Sequence, residues 1–249
     1  DDVSEKNKGA IRREKLGSIE FKDTTYRYPE ADLDTLRSIN LSVNEGEKVA
    51  ILGRNGSGKS TLMKLASGLF KASDGLVMYD GVDIKQLHTD DLSRSIGIVL
   101  QDVQLFSGSI RENITMGRQD INQDDLINAG KLSGLDDFVS KIPGGYDLQL
   151  SDGGKGLSGG QRQSIALARA IVHKPSHFIL DEPTSAMDMN AENIFISQMS
   201  SIMQDTTMLI VTHRMPLLNL VDRIIVMNEG QIVEDGPKEE IINKLNQPR

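Results

Sequence analysis

"KVAILGRNGSGKST" runs from Lys48 to Thr61, and its reading decides the fold. The first half is nearly all apolar, as a strand buried on both faces is. The second half places Gly53, Gly58, Lys59 and Ser60 at the spacing Gly-x-x-x-x-Gly-Lys-Ser/Thr. Glycines at this junction let backbone N–H groups converge on phosphate oxygens. Lys59 supplies a point charge for β- and γ-phosphates, and the Ser60 hydroxyl suits Mg²⁺. A helix is expected from Lys59 to Leu69, closed with the help of Gly68. A glycine-rich turn before a helix would explain the glycines alone. It does not explain Lys-Ser in register behind a buried strand.

Hydrolysis needs a partner at the end of another apolar strand. "HFILDEPTS", His177 to Ser185, supplies one. Asp181 ends the strand and is placed to hold Mg²⁺, directly or through water. Glu182 follows, points differently, and is free to act on water. Alone, the segment would read as a strand closing in an acidic turn; with the glycine loop it reads as metal partner and general base.

Three other residues carry weaker signals. His213 follows the apolar strand "TMLIVT", and its register beside another strand end favours a place near the γ-phosphate. A lone His in that position is more often structural. Gln101 follows "IGIVL" and by itself reads as a loop residue. Tyr28 could stack on an adenine face, although an aromatic on a strand is usually core.

The chain has 249 residues, 38% of them hydrophobic, enough for one large domain or two small ones. Its formal net charge of -8 argues against a nucleic-acid partner. It has no cysteine, which excludes disulfides and Cys-based metal sites and fits a reducing compartment. No apolar run approaches the roughly 18 residues of a membrane span. The opening "DDVSEKNKGAIRREK" is charged throughout, so residues 1–17 read as a solvated linker from something longer. Short strands are expected at "SIEFKDTTYRY", "INLSV", "GLVMYDG", "IGIVLQD" and "FILD". Helical patterns cover Ser109 to about Lys141, the stretch from Gly159, Asp188 to about Gln204, and the end from Pro237. "RIIVMNEGQIVEDG" reads as a hairpin through Glu229-Gly230. The fold class is α/β, with a small β region in front of the core and a helical insertion at about 105–172.

A second anion site stands out. "LSGGQRQSIALARA", Leu157 to Ala170, pairs glycines with a helix start, which offers free N–H groups to an anion. It lacks Lys, so it cannot replace the first loop. If the helical insertion stands away from the core, it cannot reach the phosphates of its own chain. A second copy, head to tail about a two-fold axis, would set each such loop against the nucleotide held by the other. Ser158, Gly159 and Gly160 would then meet the γ-phosphate with a hydroxyl, backbone N–H groups and a helix N-terminus.

Taken together, residues 18–249 resemble the nucleotide-binding domain of an ABC transporter, a P-loop NTPase (RecA-like) core with an antiparallel β subdomain and an α-helical signature subdomain. Tyr28 matches the adenine-stacking aromatic. Gly53, Asn55, Gly56, Ser57, Gly58, Lys59, Ser60 and Thr61 fall in the Walker A loop, and Gln101 is the Q-loop. Leu157, Ser158, Gly159, Gly160 and Gln161 match the signature without substitution. "FILDE" matches Walker B with its catalytic Glu182; Ser185, Ala186, Met187 and Asp188 form the D-loop; His213 is the switch histidine. The resemblance implies ATP and Mg²⁺ as ligands, with Ser60, Gln101 and Asp181 on the metal and Glu182, His213 and Lys59 catalytic. It implies an ATP-dependent homodimer that hydrolysis reopens, and a transmembrane domain contacted by the Gln101 loop and Ser151 to Gly156.

"LFSGSIRENI" and "GYDLQLSDGGKGLSGGQRQ" resemble exporters whose membrane domain is fused ahead of the ATPase, and "EPTSAMD" resembles bacterial type I secretion ATPases, which export proteins or peptides. That implies the cytoplasmic face of the bacterial inner membrane, with membrane-fusion and outer-membrane secretion proteins as further partners. Lipid or multidrug exporters, and less closely soluble ABC ATPases, are the alternatives. Family exporters carry Gly-Glu where this chain has Ser151-Asp152; Asp keeps the charge with a shorter reach.

Overall fold

Alternation of apolar and polar residues sets the first two strands, β1 (Ile19–Tyr26) and β2 (Leu36–Val43), which pair antiparallel. The structure, a computed structural model, describes residues 9–246. The strand β3 (Lys48–Gly53) leads through the glycine loop into α1 (Lys59–Ala66). That helix stops short of the expected Leu69, because Ser67 caps it and Gly68 turns the backbone left-handed at φ 74°. The strands β4 (Asp74–Tyr79) and β5 (Val82–Asp83) complete a four-stranded antiparallel sheet in the order β2-β1-β4-β5.

A helix that sequence patterning missed, α2 (Thr89–Ser95), leads into β6 (Ile96–Val99). The expected helical insertion holds α3 (Ile110–Thr115), α4 (Gln123–Leu132), α5 (Asp136–Val139) and α6 (Gly159–Ile171). It is not purely helical: β7 (Gly108–Ser109) and β8 (Gln149–Leu150) form a two-stranded ladder across it. A ladder that short leaves no periodic signal in sequence. At its edge, Ser109 and Glu112 close a capping box on α3.

The chain then alternates β9 (His177–Asp181), α7 (Met189–Ile202) and β10 (Thr207–Val211), and ends in β11 (Arg223–Asn228), β12 (Gln231–Pro237) and α8 (Lys238–Leu245). The six-stranded sheet runs β12-β11-β3-β10-β9-β6. All its pairs are parallel except the β11–β12 hairpin, which turns at Glu229-Gly230 as expected. Every residue of β9 and β10 is buried. Their side chains alternate between two cores: Phe178, Leu180, Met208 and Ile210 face the helical side. Ile179, Leu209 and Val211 face α1 and the antiparallel sheet. A sheet covered on both faces must read as continuous apolar runs, which is why these strands were legible.

Residues 1–8 of the expected linker lie outside the described residues. From residue 9 it runs exposed over residues 11–15 and is tied to the domain at a few points. Ile11 bridges Leu87 in parallel, Leu16 is buried, and Asp80 accepts from the backbone N–H groups of Gly17 and Ser18, each at 2.9 Å. The charged residues around Leu16 masked that single apolar anchor in the sequence. Among the described residues no helix is long and apolar enough to cross a membrane.

Candidate functional site

Strand register gathers the site. Val211 pairs with both Asp181 and Ile51, and Val99 pairs with Leu180. The residues that leave these strands, Gly53, Gln101, Glu182 and His213, therefore emerge along one carboxyl edge of the parallel sheet, where open α/β sheets bind ligands. A cavity of about 620 Å³ opens there. Tyr28, Asn55, Gly56, Gly58, Lys59, Ser60, Thr61, Gln101, Asp181, Glu182, Ser185 and His213 all line it. Gly53 and Ser57 lie behind the wall. A Cβ on Gly53 would fall 2.3 Å from the Met227 carbonyl oxygen, so only glycine lets the loop turn there.

The loop is shaped to receive anions. Gly56 and Gly58 hold left-handed φ values of 80° and 100°. Lys59 Nζ donates to the carbonyls of Gly53 at 2.8 Å and Arg54 at 3.0 Å, which curls the side chain back over the loop. Burial lowers its pKa, and the charges of Asp181 and Glu182 oppose that shift. Tyr28 reaches the loop's end, with its hydroxyl 3.1 Å from Thr61 Oγ1. Its ring meets Phe70 and Tyr26 edge-on, which leaves it about a third exposed at the cavity mouth.

Two carboxylates point into the cavity with unsatisfied atoms. Asp181 Oδ1 and Glu182 Oε1, with Ser57 Oγ behind them, are buried without a protein hydrogen-bond partner, a rare condition that calls for a water, an ion or a catalytic role. Burial raises the pKa of Asp181, opposed by a hydrogen bond from Ser60 and the charge of Lys59. Burial also raises Glu182, opposed chiefly by His213, whose Nε2 lies 3.6 Å from Oε1. Glu182 sits at a left-handed φ of 50°, strained for a non-glycine residue. Its N–H donates to Val211 and its carbonyl accepts from Ser185, which ties the bend to β10 and to the following turn. Among the described residues no cluster of three or more His, Cys, Asp or Glu is arranged as a metal site. An ion here would take mixed oxygen donors.

The second glycine pair lies elsewhere. Ser158 caps α6 and closes a capping box with Gln161. None of Leu157 to Gln161 lines the phosphate cavity; Gly159 lines a neighbouring hollow with Gln101 and Ser185. A Cβ on Gly159 would lie 3.0 Å from the Ala186 Cβ, so this helix start packs directly on its own D-loop. Asp188 caps α7, accepting from the Ala191 N–H at 2.9 Å.

Sequence reading missed several supports. Gln163, 2% exposed, donates to the Glu182 carbonyl and accepts from the Ala186 N–H. Arg214 lines the cavity, reaches the D-loop carbonyls of Ser185 and Met187, and pairs with buried Glu192, which also accepts from Thr184. Thr35 joins the cavity wall from the connection just before β2. Spacing offered one clue: Gln163 lies one helical turn after Gly159, on the same face.

Comparisons with known proteins agree with this geometry. A family model described as "ABC transporter" matches residues 36–185. The cyclolysin secretion/processing ATP-binding protein CyaB of Bordetella pertussis is 41% identical over 226 residues, 91% of this chain and 32% of that protein. The leukotoxin export ATP-binding protein LtxB of Aggregatibacter actinomycetemcomitans is 43% identical over 226 residues, with the same coverage of 91% and 32%. The leukotoxin translocation ATP-binding protein LktB of Mannheimia haemolytica is 42% identical over 230 residues, 92% of this chain and 32% of that protein. The chain thus spans about a third of the length of these curated relatives. Among solved structures, a bacterial Atm1-family ABC exporter with ATP bound superposes with a TM-score of 0.85 at 31% identity. The match covers 93% of this chain and 40% of that one.

Proposed function

The chain belongs to the ABC transporter family as its ATP-binding, ATP-hydrolysing domain, and from that premise we propose that it powers export of a protein or peptide across the bacterial inner membrane. The relatives named for cyclolysin and leukotoxin secretion support protein cargo over lipid or drug. The partners proposed are a second copy of the chain, a transmembrane domain, and membrane-fusion and outer-membrane secretion proteins. The place of work is the cytoplasmic face. The exposed segment around Ser151 and Asp152 and the Gln101 loop are the proposed contacts to the membrane domain.

One observation carries the hydrolytic reading: the unpartnered Glu182 carboxylate oxygen, buried in the same cavity as Lys59 and beside His213. Adenine rests on Tyr28, and the phosphates lie in the nest of Gly53 to Thr61. Lys59 exchanges its two carbonyl acceptors for phosphate oxygens. Glu182 accepts a proton from the water that attacks the γ-phosphorus, and His213 holds the γ-phosphate oxygens and the carboxylate in line. Ser60, Gln101 and the unpartnered Oδ1 of Asp181 form an oxygen-rich donor set that fits Mg²⁺. When bound, that ion neutralises charge on the β- and γ-oxygens. Ser158, Gly159 and Gly160 of a second copy would complete the site, since these residues stand outside the phosphate cavity of their own chain.

Glu182→Gln tests the reading. ATP should still bind and the ATP-bound dimer should become long-lived, while phosphate release ceases. Normal turnover in this variant would remove Glu182 as the base.

A further inference from the structure

Gln163 holds both ends of the turn that carries the proposed base. Its Nε2 donates to the Glu182 carbonyl at 3.2 Å, and its Oε1 accepts from the Ala186 N–H at 3.2 Å. The side chain is almost fully buried, so neither bond competes with water. Glu182 needs such restraint. Its φ of 50° is sparsely populated for a residue with a Cβ and persists only where surroundings over-determine it. Val211 of β10 fixes its N–H and Ser185 accounts for part of its carbonyl; Gln163 is the restraint that comes from the helical insertion. Its helix is α6, whose start carries Ser158 and Gly159 and packs against Ala186.

We propose that Gln163 is a positioning residue that aims the Glu182 carboxylate and ties its orientation to the start of α6. The proposal rests on Glu182 being the base and on Ser158 and Gly159 meeting the partner copy's nucleotide. A shift of α6 on engaging that nucleotide moves Gln163, and through it the turn Glu182–Ala186 of its own chain. Each site then becomes competent for hydrolysis only when the other is filled. Buried amides of this kind also serve packing alone, so the test must separate the two roles.

Gln163→Met keeps volume and removes both hydrogen bonds. Gln163→Glu keeps the acceptor for Ala186 and removes the donor to Glu182. Steady-state ATP hydrolysis, ATP affinity and thermal unfolding are measured for both beside Glu182→Gln. Misaimed catalytic groups cost roughly ten- to hundredfold in rate. We expect that loss in kcat for both variants, with KM and ATP affinity within about twofold of the parent. The Hill coefficient for ATP should fall toward one. A lowered melting temperature with unchanged kcat and Hill coefficient overturns the proposal and leaves Gln163 a packing residue. If Glu182→Gln is inactive while Gln163→Met is fully active, positioning alone fails. If Glu182→Gln turns over normally, the base assignment fails and the proposal with it. Hydrogen exchange on the parent protein needs no variant: the Ala186 amide should be protected, and exchange at an open-loop rate overturns the clamp.

Discussion

Oε1 of Glu182 lies 3.6 Å from Nε2 of His213, across two parallel strands whose last residues, Asp181 and Val211, pair in register. Neither side chain would find the other without that register. A slip of one residue would turn every side chain of the strand to the opposite face. The contact places an imidazole nitrogen against one of the two buried carboxylate oxygens that lack a hydrogen-bond partner, the other being Asp181 Oδ1.

An unpartnered buried carboxylate costs stability that function retains. Glu182→Gln should therefore lose activity by roughly 10²- to 10⁴-fold, the usual yield of a general base. Its melting temperature without nucleotide should equal or exceed that of the parent. Differential scanning fluorimetry beside a phosphate-release assay checks both; a clear drop in melting temperature would contradict the account of that oxygen.

Lys59 is held over the loop by two carbonyls that phosphates would replace. A charge-assisted hydrogen bond contributes about 1.5–3 kcal/mol. Lys59→Ala should weaken ATP binding roughly ten- to hundredfold, read by calorimetry, with the fold retained in circular dichroism.

His177 is the buried first residue of β9, and its Nε2 donates to the Gly17 carbonyl. Burial pushes its pKa below the ordinary histidine value of about 6.5. The unfolded chain then binds the extra proton, so this stabilisation is present above that value and is lost as pH falls. His177→Gln keeps a donor and does not titrate. The melting temperatures of parent and variant should converge between about pH 6.5 and pH 5; parallel lines would refute the assignment.

Arg214 joins the switch segment directly to the D-loop carbonyls of Ser185 and Met187, and it also pairs with the nearly buried Glu192 of α7. Arg214→Ala leaves that carboxylate with Thr184 as its remaining donor. A cost of about 2 kcal/mol is expected, below that of a fully buried pair because Arg214 is partly exposed. Glu192→Gln in the Arg214→Ala background should recover part of it, measured by urea unfolding.

The hairpin turn at Gly230 is wedged under the glycine loop. Its N–H donates to Ser57, its carbonyl accepts from Arg37, and a Cβ there would fall 2.4 Å from the Thr35 carbonyl oxygen. Gly230→Ala should destabilise the domain by about 2 kcal/mol or more and weaken ATP binding, because the clash pushes on both the loop and Thr35. Unchanged ATP affinity in a destabilised variant would uncouple the hairpin from the loop.

Much of this was legible in the sequence because the chemistry depends on local order. The strand–loop–helix of Lys48 to Ala66 follows from an apolar run, glycines that permit positive φ, and a helix beyond them. The runs ending in Asp181 and Val211 read as buried strands because they are short, unbroken and apolar with turn residues beside them, and their parallel pairing came from the fold. Leu16 is buried among exposed charged residues, and a single apolar anchor of that kind leaves no pattern in sequence. The β7–β8 ladder and α2 escaped because they are too short to show a period.

By itself the sequence offered Gly53 to Thr61, Asp181 and Glu182 as candidates for phosphate, metal and water, and the family resemblance added the roles of Gln101 and His213. Hydrogen-bonding type and charge belong to the residue and need no fold to be read. Only the tertiary structure decided which backbone group each of their supports reaches. Gln163 became a clamp on Glu182, and Arg214 a strut on the D-loop, because helix packing and strand register bring distant segments within hydrogen-bond range. Distances of that kind are set by the packed core, and no local pattern encodes them.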